Sequence, residues 1–308
     1  LRHYGLQSYI SHPFSRFQRF DFGLTWHNIS YSILDRVINI YGQEELIKRP
    51  GASTKFSTIL PRASWIIDNS IFGFTGPVDG YRQNISITAS PGWKTDFKFQ
   101  TIKLDARKYW RFGRDYTLAV RGFFGRSQGK DAQKFFLGGV PYLLTDFQSG
   151  TTNGKSDPSA YRSVITDTSN SNLITDVYFT EYVYPMRGAR FAERVGTYAS
   201  LFNFEVRFPF INYLALGFPL KVVLGNIRGH AFVDVGAAWD SADEFSSNSW
   251  PDKYGSNDTA KFSPWVVTSG LGVKINLGYF LLRVESAWDK NPSGYSKPQW
   301  YLSLGPDW

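Results

Sequence analysis

The sequence predicts an all-β protein, an antiparallel transmembrane β-barrel with about eleven strands, and three observations carry that prediction. Aromatic residues make up 18% of the 308 residues, with 26 Phe, 18 Tyr and 10 Trp, yet mean hydropathy is slightly polar at −0.28. A barrel in lipid needs that combination, because an apolar outer face and two aromatic girdles surround a polar interior. Segments of about ten residues alternate apolar and polar side chains, the period of a strand with two unlike faces. No run approaches the ~20 consecutive apolar residues that a membrane helix requires. A large sandwich with an aromatic core is the alternative architecture.

The strands follow in order. Residues 2–10 place Tyr4, Leu6 and Ile10 on one side and Gly5, Gln7 and Tyr9 on the other. After the break at Ser11-His12-Pro13, residues 17–28 set Phe20, Phe22, Leu24 and Trp26 against Arg19, Asp21, Gly23, Thr25 and His27, one face for lipid and one for water. A polar connection is expected over 29–62. A strand at 63–72 then turns through 73–80, where Gly76-Pro77 and Asp79-Gly80 supply turn residues. Residues 81–90 alternate Ile85, Ile87 and Ala89 with Asn84, Ser86 and Thr88, and residues 97–109 oppose Ile102, Leu104 and Ala106 to Thr101, Lys103, Asp105 and Arg107. The tight turn Phe112-Gly113-Arg114-Asp115 leads to a strand at 116–124.

The pattern then stops over residues 128–196, a segment carrying Tyr184-Pro185-Met186-Arg187-Gly188-Ala189-Arg190-Phe191. Connections beyond ~15 residues are uncommon unless they are functional or disordered, so this segment is the first place to look for function. Five strands follow it. In 201–210, Phe202, Phe204, Val206, Phe208 and Phe210 point outward, and Asn203, Glu205 and Arg207 inward. In 230–239, Ala231, Val233, Val235, Ala237 and Trp239 oppose His230, Phe232, Asp234 and Gly236. Strands at 266–276 and 280–288 flank Leu277-Gly278, with Arg283 and Glu285 read as lumen lining, and 299–308 closes the series with Trp300, Leu302, Leu304 and Trp308 in one parity. Short connections alternate with longer ones, as in transmembrane barrels, except for a longish one at 211–229. If the short turns are periplasmic, the carboxyl terminus is periplasmic too.

Other function classes find little support. The net charge of +8 comes from Lys and Arg scattered among Asp and Glu, not from the basic stripe of a nucleic-acid binder. There is no Cys/His cluster, phosphate-binding glycine loop or nucleophile elbow, and His3, His12, His27 and His230 lack metal-ligand spacing. No cofactor, metal or covalent chemistry is expected. The absence of cysteine suits passage through an oxidising periplasm. The first residues lack signal-peptide features, so either the mature protein begins there or the chain is a fragment.

Four segments in order, Phe136-Leu137-Gly138-Gly139, Met186-Arg187-Gly188-Ala189-Arg190-Phe191, Phe204-Glu205-Val206-Arg207-Phe208-Pro209 and Ala231-Phe232-Val233-Asp234-Val235-Gly236, resemble the carboxy-terminal barrel of the bacterial surface antigen superfamily. That group contains the BamA-type outer-membrane insertases and the two-partner-secretion transporters. The resemblance spans most of the chain and is strongest over 136–308. It implies a Gram-negative outer-membrane protein and a sixteen-stranded barrel, with five strands after the arginine-glycine loop, as here, and about five amino-terminal strands lying outside this chain. It further implies that the loop folds into the lumen as a lid, with Arg187, Gly188 and Phe191 as its motif and Glu205 and Asp234 as the acids that Arg187 meets. Parity independently turns both acids inward. In this chain Ala189 stands where the family has an aromatic residue, with Phe191 two places on. Trp300, Leu302, Leu304 and Trp308 resemble the terminal assembly signal of outer-membrane barrels. Pro306, which removes a ladder donor, marks an edge strand and hence a seam.

The function implied is insertion or translocation of a protein client through a gated seam or lumen. The partners expected are outer-membrane lipid and lipopolysaccharide, that client, and amino-terminal strands, a domain or a partner chain. Two alternatives remain open at this stage: a barrel anchoring an amino-terminal propeller or lipase, and a passive diffusion pore.

Overall fold

The computed structural model describes residues 2–38, 44–92, 97–148, 180–189, 191–217, 222–246, 265–291 and 294–305. The centre of the lid segment (149–179), Arg190, and the assembly-signal residues Pro306 and Trp308 lie outside the described residues.

The chain runs through β1 (Arg2–Pro13), β2 (Gln18–Ile38), β3 (Glu44–Asp68), β4 (Ile71–Phe72), β5 (Pro77–Pro91), β6 (Lys98–Phe112) and β7 (Tyr116–Gln128). Within the lid segment lie β8 (Phe135–Leu137), β9 (Leu143–Gln148), β10 (Glu181–Val183) and β11 (Arg194–Gly196). Beyond it come β12 (Tyr198–Leu216), β13 (Val222–Trp239), the single-turn helix α1 (Ala242–Ser246), β14 (Val266–Asn276), β15 (Leu281–Asn291), β16 (Gly294–Tyr295) and β17 (Gln299–Leu304). Twelve strands form one antiparallel sheet in the order β1-β2-β3-β5-β6-β7-β12-β13-β14-β15-β17-β9, with β4 beside β5 and β16 beside β15. Among the described residues no pairing joins β1 to β9.

All eleven strands expected from alternation are present. Their two faces separate as the parity demands: along β12, Phe204 is 45% and Val206 39% exposed, while Glu205 and Arg207 are 0% and 4% exposed. Along β12 the apolar side chains therefore form the outer surface and the polar ones are buried.

Three expectations are corrected. Residues 29–62 are not a polar connection, because β2 continues to Ile38 and β3 starts at Glu44, pairing through Tyr31↔Thr54 and, past a bulge, Leu34↔Lys48. A two-stranded ribbon satisfies its backbone whatever its side chains, so pairing outlasts alternation, which appears only where one face meets an apolar medium. At ~3.4 Å per residue the 21-residue β2 is about 70 Å long, far beyond a membrane crossing. The 211–229 connection is likewise mostly strand, with Tyr213↔Gly225 and Leu216↔Val222 continuing the β12–β13 ladder past a bulge at Pro209/Ile211. Finally, β17 is not a free edge: β9 pairs with it from Gln299↔Gln148 to Ser303↔Leu143. An open row of N–H and C=O groups accepts any extended segment within reach.

Candidate functional site

The lid segment is held to the inner face of the sheet by apolar packing and by charge. Its small sheet has β8 at the centre, with β10 parallel on one side and β11 antiparallel on the other. Phe135, Leu137, Val183, Met186 and Ala189 of the lid share one buried cluster with Phe123, Ala199, Leu201, Ala238 and Val266 of the wall. Gly236 makes that approach possible, since a Cβ there would sit 2.9 Å from Leu137 and 3.0 Å from the Met186 sulfur. Ala189 is thus a packing residue, and the neighbouring aromatic contact comes from Phe191, whose ring lies 5.6 Å from Tyr182 and 6.4 Å from Tyr184.

A strap from Tyr184 to Gly188 crosses the inner wall. It is fastened by an antiparallel bridge to Gly139, whose N–H donates to the Met186 carbonyl (3.2 Å) while the Met186 N–H donates to the Gly139 carbonyl (3.0 Å). This turns Arg187 into the wall, where it is 2% exposed. Its Nε and Nη2 donate side-on to Asp234 (3.0 and 2.9 Å), and its backbone N–H donates to the same carboxylate (3.0 Å). Its Nη1 donates to Glu205 (2.6 Å) and Glu285 (3.2 Å). The guanidinium lies 3.6 Å from the ring centroid of Phe232, a cation–π contact on its remaining open side. Gly188 follows at φ 86°, a conformation that L side chains rarely adopt, and a Cβ there would lie 3.1 Å from Ala287 and 3.2 Å from Thr268. Its N–H donates to the Tyr301 hydroxyl (3.0 Å) on the last strand.

The charges close on themselves. Glu205 also accepts from Arg207 (2.7 Å) and from Lys274, and Glu285 lies 2.9 Å from His230 Nε2. Three carboxylates therefore face Arg187, Arg207 and Lys274, all 4% exposed or less. Desolvating so many charges is costly, and the arrangement holds because nearly every oxygen takes a charge-assisted hydrogen bond.

The opposite side of the strap is held differently. Arg121 on β7 forks onto Asp105 of β6 (3.0 and 2.8 Å), Arg107 forks onto the same carboxylate (3.0 and 2.9 Å), and Arg121 Nη1 reaches the Tyr184 carbonyl. Asn203 donates to the Pro185 carbonyl (2.8 Å), and Lys103 pairs with Glu181 of β10 (2.6 Å).

Of the residues singled out from the sequence, Arg187, Gly188, Glu205 and Asp234 lie together, whereas Phe191 packs beside the cluster within the lid. Trp300 is 45% exposed on the outer face, with Leu302 and Leu304 half-buried in the same parity. Sequence reasoning missed Glu285, read as lumen lining, and did not find Tyr301, Asn203, Lys274 or Arg121. Parity marks all of them as inward, but only cross-strand register shows that Arg207, His230, Gly272, Glu285 and Tyr301 form one row.

Among solved structures, the chain is similar to CdiB from Acinetobacter baumannii (11% identity, TM-score 0.48), covering 98% of this chain and 41% of that one. It is also similar to CdiB from Escherichia coli (10% identity, TM-score 0.41), covering 98% of this chain and 53% of that one. A third likeness, to the NanC porin, has 5% identity and a TM-score of 0.30 and covers 99% of this chain and 94% of that one. The chain thus spans about half the length of the CdiB transporters or less. No curated protein sequence matches it. The model of the Omp85 superfamily domain matches residues 1–308, and the chain belongs to that superfamily of bacterial outer-membrane proteins.

Proposed function

We propose that this barrel moves or inserts a protein client through a gated seam or lumen, without covalent chemistry, and that residues 128–196 are the lid that braces the lumen. The observation that carries this reading is the burial of Arg187 among carboxylates from three wall strands, Glu205 of β12, Asp234 of β13 and Glu285 of β15. A solvated loop arginine has no reason to be there. A passive pore needs no strap so firmly fixed, whereas a translocator needs a plug with a defined seat. The seam lies at β17, whose edge carries β9 of the lid segment, so an incoming client strand competes with an internal one for the same backbone groups. In this orientation the short turns and the carboxyl terminus are periplasmic, and the long lid enters from the outside. The test is the Arg187→Ala variant of the full-length gene product, assayed for client assembly or transport in cells at matched barrel levels. A clear loss is expected. Full activity in a correctly assembled variant would overturn the reading.

A further inference from the structure

At the short-turn end of the inner face, the connection from β3 to β5 does not stay over its own strands. It folds across to the far wall, where Asn276 at the end of β14 donates to the Phe74 carbonyl (2.6 Å) and Arg207 of β12 donates to the Pro77 carbonyl (2.7 Å). Beneath it lies a cavity of about 170 Å³. Four arginines line it, Arg111, Arg114, Arg207 and Arg228, with Asp115 as the one acid.

These arginines are not equivalent. Arg207 is committed to Glu205 and the Pro77 carbonyl, and Arg228 donates to the carbonyl (3.0 Å) and carboxylate (3.1 Å) of Asp115. Both form a fixed positive wall. Arg111, in the inward parity of β6, and Arg114, in the β6–β7 turn, are exposed. Neither guanidinium has an ion pair or hydrogen bond among the described residues. Two uncommitted guanidinium groups beside two fixed ones, with the single nearby carboxylate already used, make a site suited to an oxyanion.

We propose that this pocket docks an acidic side chain of a polypeptide arriving at the short-turn mouth of the barrel. The occupant follows from shape and place. Phe74 and Val78 make part of the lining apolar, which suits a carboxylate on an aliphatic stem better than a bare inorganic ion. The contributing strand residues point inward, away from the lipid-facing surface, which turns the site from lipid headgroups. The volume accepts one side chain and not a folded domain. The polypeptide identity rests on the translocator reading above; the anion site does not.

The test uses the full-length gene product in detergent micelles and a fluorescent ten-residue peptide of alternating Glu and Ser, with the Lys and Ser counterpart as control. The Glu peptide binds and the Lys peptide does not. Raising salt weakens binding, because these charges are exposed at the rim. The Arg111→Gln/Arg114→Gln variant binds the Glu peptide about a hundredfold more weakly, roughly tenfold for each charge-assisted hydrogen bond lost. Arg114→Gln alone, in an exposed turn, gives about a tenfold loss and keeps the test open should the double variant not assemble. Equal binding by wild type and variants would overturn the site. Inorganic phosphate competing as strongly as the peptide would overturn the polypeptide assignment while leaving an anion site. Peptide binding that depends on both arginines in a protein with no translocation activity would sink the translocator reading alone.

Discussion

The two walls that grip the lid use opposite chemistry. On the β12–β15 side the lid supplies the cation, Arg187, and the wall supplies three carboxylates. On the β6–β7 side the wall supplies the cations: Lys103 pairs with Glu181 of the lid, and Arg121 holds the strap itself through a backbone carbonyl, that of Tyr184. The first anchor depends on one lid side chain and cannot be replaced from elsewhere. The Arg121 contact would survive many changes of strap sequence, because every residue carries a carbonyl. Asp105 also keeps Arg107 when Arg121 is removed, so that wall does not lose its charge balance. The comparison teaches that specificity for this lid sequence resides in the Arg187 cluster, while the Arg121 cluster positions the strap without reading it.

The largest effect is expected from Arg187→Ala. It takes from Asp234 the cation that forks onto it and from Glu205 and Glu285 one of their partners, all in a buried site, and breaking a buried pair from one side costs ~3–5 kcal/mol. Thermal unfolding of the full-length protein in detergent should show a clearly lower midpoint, with faster proteolytic cleavage in the lid. An unchanged midpoint would remove the asymmetry between the walls. Arg187→Lys keeps the charge but loses the fork onto Asp234, so a loss of about 1.5–3 kcal/mol is expected in the same melt. Equality with the alanine variant would mean that geometry, not charge, carries the whole anchor.

Arg121→Met leaves the Tyr184 carbonyl short of a donor, at a cost of about 1–3 kcal/mol. Its signature should be faster lid proteolysis with client assembly largely kept. A larger drop in stability than for Arg187→Ala would invert the comparison. Glu285→Gln touches one 3.2 Å contact to Arg187 and the His230 contact, and about 1 kcal/mol is expected in the thermal midpoint. The smallest effect belongs to Asp21→Asn, whose partner Arg19 is 48% exposed. Such surface pairs contribute ~0–1 kcal/mol, so a melt indistinguishable from wild type is the expected control.

Period-two alternation was enough to reveal eleven strands of the main sheet and their faces, but not the short strands β8 to β11 inside 128–196. The side of the sheet on which Glu205, Asp234 and Glu285 point follows from parity alone, because successive strand side chains must alternate. The same rule failed over 29–62 and 211–229. There the chain pairs as a ribbon through backbone hydrogen bonds, and the register shifts at Ser32/Leu34 and Pro209/Ile211 break the phase of the alternation. The resemblance to the surface-antigen barrels singled out Arg187 and two of its acids, and it covered neither Glu285 nor Tyr301.

Local chemistry therefore settles direction, and register settles company. That Glu285 is within reach of Arg187, that Tyr301 meets the Gly188 N–H, and that β9 lies along β17 all depend on how strands far apart in the chain are offset against one another. A shift of two residues would preserve every face and dissolve the cluster. The same holds at the short-turn mouth. Nothing in Gly76-Pro77 says that this turn will reach Arg207 and Asn276 on the far wall. Only the curvature of the folded sheet brings four arginines from two separate hairpins around one cavity.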